Sequence, residues 1–450
     1  MNYTNKLLVK TIGAALISCA TGVQAANWLA LQGTEPEGQS ARAKVWGFVQ
    51  PEFQTTGGSE IAAGPWAGQK AIFNQIAPDL KTDTQFSIRR ARIGIRGTGF
   101  PLDTKVNYFL LAEFGSNGIT RPGGGSGSAK LTDASITLNH VKGARVRVGQ
   151  FKTPGAEEGL QAIHVFDYIN FTGVTNGLLL ERYFNGDGSD TFVTPGGNSG
   201  LGGDPNRPNG SVGAFRDIGI QVFNTFNVGK WEHSYAVMYG NGNGIARGDN
   251  DDNKDTYLYW SSELVYAGKG ARRQGWKLFA WNQNGKRTLT TAGAGEYDRE
   301  RAGLGTTFRK DKIRAAFEYI TADGMIFNGT DAAAVAGSAA NGPGTTASFN
   351  VETDGEADGW YLHFGYAVLP KLELDIRYDT YNRITNNNAR ERKFDTTTLG
   401  AQYFFNKKSR VTLNYEIREG EAPNLASNSN PNIILNDLDD RISLQLITIF

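Results

Sequence analysis

The chain has 450 residues, of which 39% are apolar, and its mean hydropathy is −0.39. This composition excludes a bundle of membrane-spanning helices, because no run approaches the ~20 apolar residues that such a helix needs. Its 46 basic and 45 acidic side chains give a formal net charge of +1, which indicates no nucleic-acid partner. A membrane β-strand needs only ~9–11 residues with one apolar face, so low hydropathy is compatible with a β-barrel.

The N-terminus has the pattern of a secretory signal peptide. Two lysines precede the apolar segment Thr11–Ala20, and the small residues of Val23–Ala25 offer a cleavage site. We therefore expect a signal peptide over residues 1–25 and a single mature barrel domain over residues 26–450.

The only cysteine, Cys19, lies inside this signal, so we expect no disulfide in the mature protein. The sequence Leu-Ile-Ser-Cys that ends at Cys19 also resembles a lipoprotein-processing box. Lipidation of Cys19 therefore stays open as an alternative to cleavage after Ala25.

Beyond residue 40 the chain divides into sixteen segments in which apolar and polar residues alternate. A period of two is typical of strands with one apolar and one polar face. The segments are Arg42–Thr55, Thr84–Gly97, Asp103–Gly115, Lys130–Val141, Ala144–Phe151, Phe215–Asn227, Trp231–Gly240, Lys254–Ala267, Gln274–Gln283, Tyr297–Arg309, Lys312–Ala322, Ala357–Val368, Lys371–Asn382, Lys393–Phe405, Ser409–Arg418 and Asp437–Phe450.

The connections between these segments alternate between tight polar turns and long Gly/Asn/Asp-rich stretches. The tight turns are Thr98–Leu102, Lys142–Gly143, Val228–Lys230, Lys310–Asp311, Leu369–Pro370 and Asn406–Lys408. Short turns on one side and long loops on the other are typical of outer-membrane barrels. We therefore predict an all-β fold, a 16-stranded antiparallel transmembrane β-barrel with both termini on the periplasmic side.

The last predicted strand ends in an aromatic residue, Phe450, that shares an apolar face with Ile442, Leu444 and Leu446. This ending resembles the assembly signal of bacterial outer-membrane proteins. It implies recognition of the chain by the barrel-assembly machinery through Phe450.

Two neighbouring motifs resemble a known family. The run RRARIGIRG over Arg89–Gly97 is similar to an early strand of the phosphate-selective porin O/P family, and GQFKTP over Gly149–Pro154 is similar to the end of that family's fifth strand. The resemblance implies a homotrimeric porin in the outer membrane of a Gram-negative bacterium. Such a porin contacts outer-membrane lipid and passes small ions and hydrophilic solutes by passive diffusion through a water-filled channel.

The longest connection, Lys152–Ala214, is the third long one along the chain. In sixteen-stranded porins this loop folds inward, and we expect it to narrow the pore, with a short helix over Ala156–Phe166. Its candidate constriction residues are Glu157, Glu158, His164 and Asp167. The loop has few bases, which favours a channel for anions in general, phosphate included, over one specific for phosphate.

Basic side chains opposite the apolar face of the early strands are expected to line the pore. The candidates for anion contact are Arg90, Arg92, Arg96, Lys105, Arg145, Arg147 and Lys152. Rings of Arg and Lys favour anions, although any single arginine is as readily explained by pairing across strands. Arg89 breaks the alternation, and a one-residue bulge there would invert the assignment.

Other signals are weak. The residues Asp249, Asp251, Asn253 and Asp255 alternate as Ca²⁺ ligands can, but Lys254 stands where an EF-hand loop needs Gly, which favours a solvated turn. We expect no metal and no cofactor. No nucleophile–base set is evident, so we predict no enzyme. The alternative is an outer-membrane adhesin or enzyme with its function in external loops such as Gly324–Glu356.

Overall fold

The computed structural model describes residues 27–450 except 32, 36–41, 61, 64–66, 69–77, 79, 81, 100–102, 118, 121–128, 181, 185–207, 213, 246–248, 250, 269, 271, 290–294 and 328–350. The expected signal peptide over residues 1–25, with Cys19, lies outside the described residues, as does most of the external segment Gly324–Glu356.

Sixteen antiparallel strands form one closed barrel, as the sequence predicts, and each strand pairs with its neighbours along the chain. The barrel strands are β1 (Lys44–Thr56), β2 (Thr84–Thr98), β3 (Val106–Glu113), β4 (Lys130–Val141), β5 (Ala144–Lys152), β8 (Arg216–Val228), β9 (Trp231–Gly240), β10 (Asp255–Ala267), β11 (Gln274–Leu289), β12 (Gly295–Lys310), β13 (Ile313–Asp323), β16 (Glu356–Leu369), β17 (Leu372–Arg383), β18 (Arg392–Asn406), β19 (Ser409–Glu421) and β20 (Arg441–Ile449).

Two small hairpins and a few short helices occupy the connections. The hairpins pair β6 (Arg182–Phe184) with β7 (Pro208–Val212) and β14 (Ile326–Phe327) with β15 (Val351–Glu352), and the helices are α1 (Trp28–Leu31), α2 (Glu157–Leu160), α3 (Gly173–Leu179) and α4 (Asn430–Leu435). No helix among the described residues is long and apolar enough to cross a membrane.

The strands alternate between a lipid-facing and a lumen-facing side, as β17 illustrates. Leu374 and Ile376 are 47% and 46% exposed, whereas Arg377 and Asp379, which follow them on the opposite face, are each 1% exposed. Successive side chains of a strand point to opposite faces, so a charged row faces inward and an apolar row faces outward. The same pattern along the other strands gives the barrel an apolar outer belt.

A bulge between β1 and β2 resolves the irregularity at Arg89. The register passes from Gln50 opposite Arg90 to Pro51 opposite Ile88, so Arg89 is the extra residue. A proline lacks the N–H that the regular ladder would use, which explains the position of the bulge. Arg89 and Arg90 are both buried on the lumen side, and the inward assignment of Arg90 is kept.

The chain ends close the barrel. The backbone N–H of Phe450 donates to the carbonyl of Gly47 at 2.9 Å, and the N–H of Gly47 donates back at 3.2 Å. A Cβ added at Gly47 would lie 2.5 Å from the Phe450 ring. A glycine at this position therefore leaves room for the terminal aromatic side chain beside the first strand.

Candidate functional site: the barrel lumen

Basic residues of the first strands gather on one side of the lumen, which we call the early wall (β1–β5 and β8). Arg92 of β2 pairs with Glu113 of the neighbouring β3 at 2.7 Å. Arg216 at the start of β8 pairs with Asp133 of β4 at 3.1 Å. The first pair joins neighbouring strands, and the second crosses β5, which lies between β4 and β8, so several early-wall arginines are neutralised locally.

Three cations of the early wall have no carboxylate within ion-pair distance among the described residues. Arg90 donates to the side-chain oxygen of Gln50 at 3.2 Å, and the Lys152 ammonium donates to the backbone carbonyl of Gln161. Arg145 shares the lumen-facing row with Arg147 and is half-buried. This wall therefore keeps positive charge that the protein does not cancel.

The segment from Thr153 to Leu180 lies against the opposite side of the lumen, which we call the late wall (β11–β13, β16 and β17). The Glu157 carboxylate accepts from the Lys277 ammonium, and its backbone N–H donates to Glu318 at 3.1 Å. Glu158 pairs with Arg377 at 3.1 Å. Since these partners lie 120 to 219 residues away in sequence, they attach the loop to strands distant along the chain.

Further along, the loop reaches additional strands. The backbone N–H of Gly173 donates to Asp379 at 2.7 Å, that of Ile169 donates to Asn414 at 2.8 Å, and the Asn170 amide donates to Glu416 at 2.9 Å. The loop thus contacts lumen-facing side chains of β11, β13, β17 and β19. The expected helix over Ala156–Phe166 is too long, because extended backbone at Gln161 ends α2 and only a 3-10 turn follows over Ile163–Val165.

Asp167 is surrounded by guanidinium groups of the late wall and its turns. Its carboxylate lies 3.3 Å from Arg314, 3.4 Å from Arg272 and 3.9 Å from Arg309. Burial alone would raise the pKa of Asp167, but Arg314, Arg309 and Arg272 together hold the pKa below its ordinary value. Asp167 is therefore anionic and anchored.

His164 lies between the loop and the early wall. Its ring is 5.3 Å from the Phe48 ring and 5.9 Å from the Trp46 ring, measured between centroids. Burial, and then the positive charges of Lys152 and nearby arginines, lower the pKa of His164 to about 4. The imidazole is neutral at physiological pH and acts as an aromatic surface.

A segment that the sequence analysis did not place in the lumen is the stretch before β1. The Asn27 amide donates to Glu232 of β9 at 3.3 Å, and Arg147 donates to the carbonyl of Leu29 at 3.4 Å. Arg96 pairs with the Glu35 carboxylate and donates to the Leu31 carbonyl at 3.0 Å. Arg96 and Arg147, both predicted to line the pore, therefore bind the N-terminal segment. The apolar residues of this segment were the only sequence feature that could have placed it in the lumen.

Lys105 and the residues of the weak Ca²⁺ motif lie in or beside connections between strands. Lys105 is not a lumen residue, because Asp103 closes a tight turn by accepting from the Lys105 N–H at 2.8 Å, and β3 begins only at Val106. In the weak Ca²⁺ motif, Asp255 is buried against Arg287 at 2.8 Å and Asp249 pairs with Lys254 at 2.7 Å. Among the described residues, no group of three or more His, Cys, Asp and Glu side chains could hold a metal ion.

The functional residues that sequence reasoning missed belong mostly to late-wall pairs. Four basic residues lie at strand ends or beside aromatic residues, where the apolar/polar alternation of a short segment assigns a side chain to one face least reliably. They are Arg216, Arg272, Lys277 and Arg309. Their inward position follows from pairing with Glu157, Asp167 and Asp133. In the lumen, the loop carboxylates therefore pair with cations of the late wall, whereas several early-wall cations have no carboxylate partner among the described residues.

Comparisons with known proteins find a matching family model and similar solved structures. The model of the family "Phosphate-selective porin O and P" matches residues 72–435. The anion-selective porin from Comamonas acidovorans is 13% identical with a TM-score of 0.52, covering 92% of this chain and 100% of that one. The outer membrane channel DcaP of Acinetobacter baumannii is 14% identical with a TM-score of 0.49, covering 93% and 100%. The search of curated proteins gave no match.

The family match spans most of the chain and includes both motifs, Arg89–Gly97 and Gly149–Pro154. The solved porin structure supports the closed sixteen-stranded fold. The chain therefore belongs to the phosphate-selective porin O and P family and forms a channel in the outer membrane of a Gram-negative bacterium.

Proposed function

We propose that this channel passes small anions by passive diffusion, with a broad anion preference. The observation that carries the proposal is the set of cations beside the loop that lack a carboxylate partner among the described residues. Arg90 and Lys152 lie on the early wall, and Arg410 of β19 donates to the Phe166 carbonyl and to Gln402. Uncompensated basic side chains in a pore raise the local concentration of anions.

The loop carboxylates do not oppose this field. Glu157, Glu158 and Asp167 each have a cationic partner, so the acidic loop presents little net negative charge. The carboxylate of Glu318 is covered by the loop backbone and accepts from Trp281 at 2.8 Å. Although the whole chain is nearly neutral, one side of the lumen is therefore positively charged.

The charges also support a broad preference over a phosphate-specific site. Arg92, Arg96 and Arg216 already pair with Glu113, Glu35 and Asp133. A phosphate-binding cage needs several converging donors that are not already committed to carboxylates. The cations without a carboxylate partner among the described residues lie on β2, β5 and β19. This distribution suits a series of weak contacts along the path of the anion.

The proposal is tested by reversal potentials of the purified channel in planar bilayers under a KCl gradient. We expect the parent to select chloride and the triple variant Arg90→Gln, Lys152→Gln, Arg410→Gln to approach equal permeability for the two ions. Lys312→Gln, in an exposed turn, is the matched control. Cation selectivity of the parent, or unchanged selectivity of the triple variant, would contradict the proposal.

We also propose that the mature chain begins at Ala26, assembles as a homotrimer surrounded by outer-membrane lipid, and is recognised by the barrel-assembly machinery through Phe450. The apolar outer belt and the exposed terminal ring of Phe450 support these contacts. Mass spectrometry of the mature protein distinguishes cleavage after Ala25 from lipidation of Cys19. Cross-linking should give trimers, and deletion of Phe450 should lower the amount of folded barrel in the membrane.

A further inference from the structure

A cavity of about 230 Å³ lies between the early wall, the loop and the N-terminal helix α1. Its walls include Trp28 and Leu31 of α1, together with Ile163 of the loop. The anion path proposed above needs only water and spaced cations, so it does not account for a cavity with so much apolar surface. The cavity is therefore a candidate for a solute site of its own.

One face of the cavity is aromatic. The ring centroids of Trp46 and Phe109 are 6.0 Å apart, and the neutral His164 ring lies 5.3 Å from the Phe48 centroid. Phe48 and Phe109 are almost fully buried. Such spacings are those at which aromatic rings attract one another in tilted and stacked arrangements. This face offers contact to a flat apolar group and no charge.

The other face of the cavity is formed by basic side chains. Four cations line the cavity, and three of them have carboxylate partners: Arg92 with Glu113 at 2.7 Å, Arg216 with Asp133 at 3.1 Å, and Arg96 with Glu35. The fourth, Lys152, is 8% exposed; it donates to the Gln161 carbonyl and has no carboxylate partner within the described part of the chain. Among the described lining residues, the cavity therefore has one basic group without a carboxylate partner, which matches a monoanion.

The size agrees with a single ring. An apolar cavity of ~150 Å³ is large enough to hold benzene, so about 230 Å³ leaves room for a ring and one small polar group. Inorganic phosphate would leave the aromatic face without a partner, and it carries more negative charge than Lys152 alone balances.

We propose that this cavity binds a small aromatic monocarboxylate, with its ring against Trp46, Phe48 and His164 and its carboxylate on the Lys152 ammonium. The inference deepens the anion channel proposed above, on which it rests, by giving that channel a preferred class of organic solute. Lys152 would then serve both as an anion contact and as the group that orients the solute.

The test is isothermal titration calorimetry of the purified, detergent-solubilised full-length protein with benzoate. We expect saturable binding of benzoate, and at least about tenfold weaker binding of acetate, which lacks the ring, and of benzyl alcohol, which lacks the charge. Inorganic phosphate should also bind at least tenfold more weakly than benzoate. Affinity for benzyl alcohol equal to that for benzoate, or tighter binding of phosphate, would overturn the proposal.

Three variants, at Lys152 and Phe48, assign the binding to this cavity. Lys152→Gln should lower benzoate affinity at least about tenfold, whereas Lys152→Arg should retain most of it, and Phe48→Leu should weaken benzoate while leaving acetate unchanged. Lys312→Gln is the control, and heat-modifiable gel mobility confirms that each variant is folded. Unchanged benzoate affinity in both Lys152→Gln and Phe48→Leu would show that the site is elsewhere and would overturn the assignment.

The calorimetric result and the conductance result separate the two proposals. Chloride selectivity without saturable benzoate binding would remove the aromatic site and leave the anion channel standing. Benzoate binding that depends on Lys152, in a channel without anion selectivity, would remove the proposed broad anion preference and with it the transport role of the cavity.

Discussion

On the late wall, charged side chains are bound to the loop, as in the pairs Glu157–Lys277 and Glu158–Arg377. On the early wall, Arg90 and Lys152 face the same lumen with no carboxylate partner among the described residues. Both walls are built from similar residue types. The difference shows that pairing, rather than the number of arginines, decides which cations remain for a solute.

The largest effect is expected where the late wall holds the loop. Arg377→Met would leave the buried Glu158 carboxylate without its cation, which costs about 3–5 kcal/mol when one member of a buried pair is removed. We expect a clearly lower temperature for the heat-modifiable gel shift of the purified barrel. The double variant Glu158→Gln, Arg377→Met should recover part of the loss, because Asp379, 3.7 Å from Arg377, still lacks its cation. A stable single variant would show that the Glu158–Arg377 pair does not anchor the loop.

Charge reversal on the early wall should change selectivity instead of stability. Lys152→Glu is expected to lower the chloride-to-potassium permeability ratio severalfold, because it changes an uncompensated charge by two units. The matched late-wall variant Glu157→Gln, Lys277→Gln changes no net charge and should leave the ratio near that of the parent. Equal effects of the two variants on reversal potential would contradict the distinction between the walls.

A smaller effect is expected from pH. The pKa of His164 is lowered to about 4 by burial, Lys152, Arg410 and Arg92, so this ring stays neutral between pH 8 and pH 5. Anion preference should rise as pH falls through about 4, when the ring gains positive charge. His164→Asn should remove the part of that rise that is due to the imidazole. Reversal potentials of the parent and the variant, measured over a pH series, test this.

The same group has a consequence for stability. An unfolded histidine titrates near its ordinary pKa of ~6.5, above the native pKa of about 4 for His164. The unfolded state therefore binds more protons in this range, and the contribution of His164 to stability falls as pH decreases from about 6.5 to about 4. The His164→Asn barrel should lose less stability over this interval than the parent, as followed by gel mobility.

The smallest effect is expected at Lys105. The side chain is exposed in the turn closed by Asp103, so Lys105→Ala should change neither the single-channel conductance nor the reversal potential. A loss of anion preference comparable to that of Lys152→Gln would place Lys105 back in the pore.

Much of the architecture follows from short-range pattern. Alternation along Leu372–Arg383 assigns the apolar row to lipid and the charged row to the lumen because successive strand residues point to opposite faces. The same rule places Arg92 and Arg147 inside. It failed at Lys105, whose backbone N–H donates to the Asp103 side chain in a turn that delays the start of β3, since one residue of offset reverses the assignment of a side chain to one face.

The sequence by itself determined the number of strands and the side of each strand that meets lipid, because these depend on neighbours in the chain. Only the tertiary structure decided which charges remain free. Glu158 finds Arg377 across 219 residues, and Asn27 reaches Glu232 across 205. Such partners meet only after the barrel closes, so the lone charge of Lys152 could not be read from its local sequence.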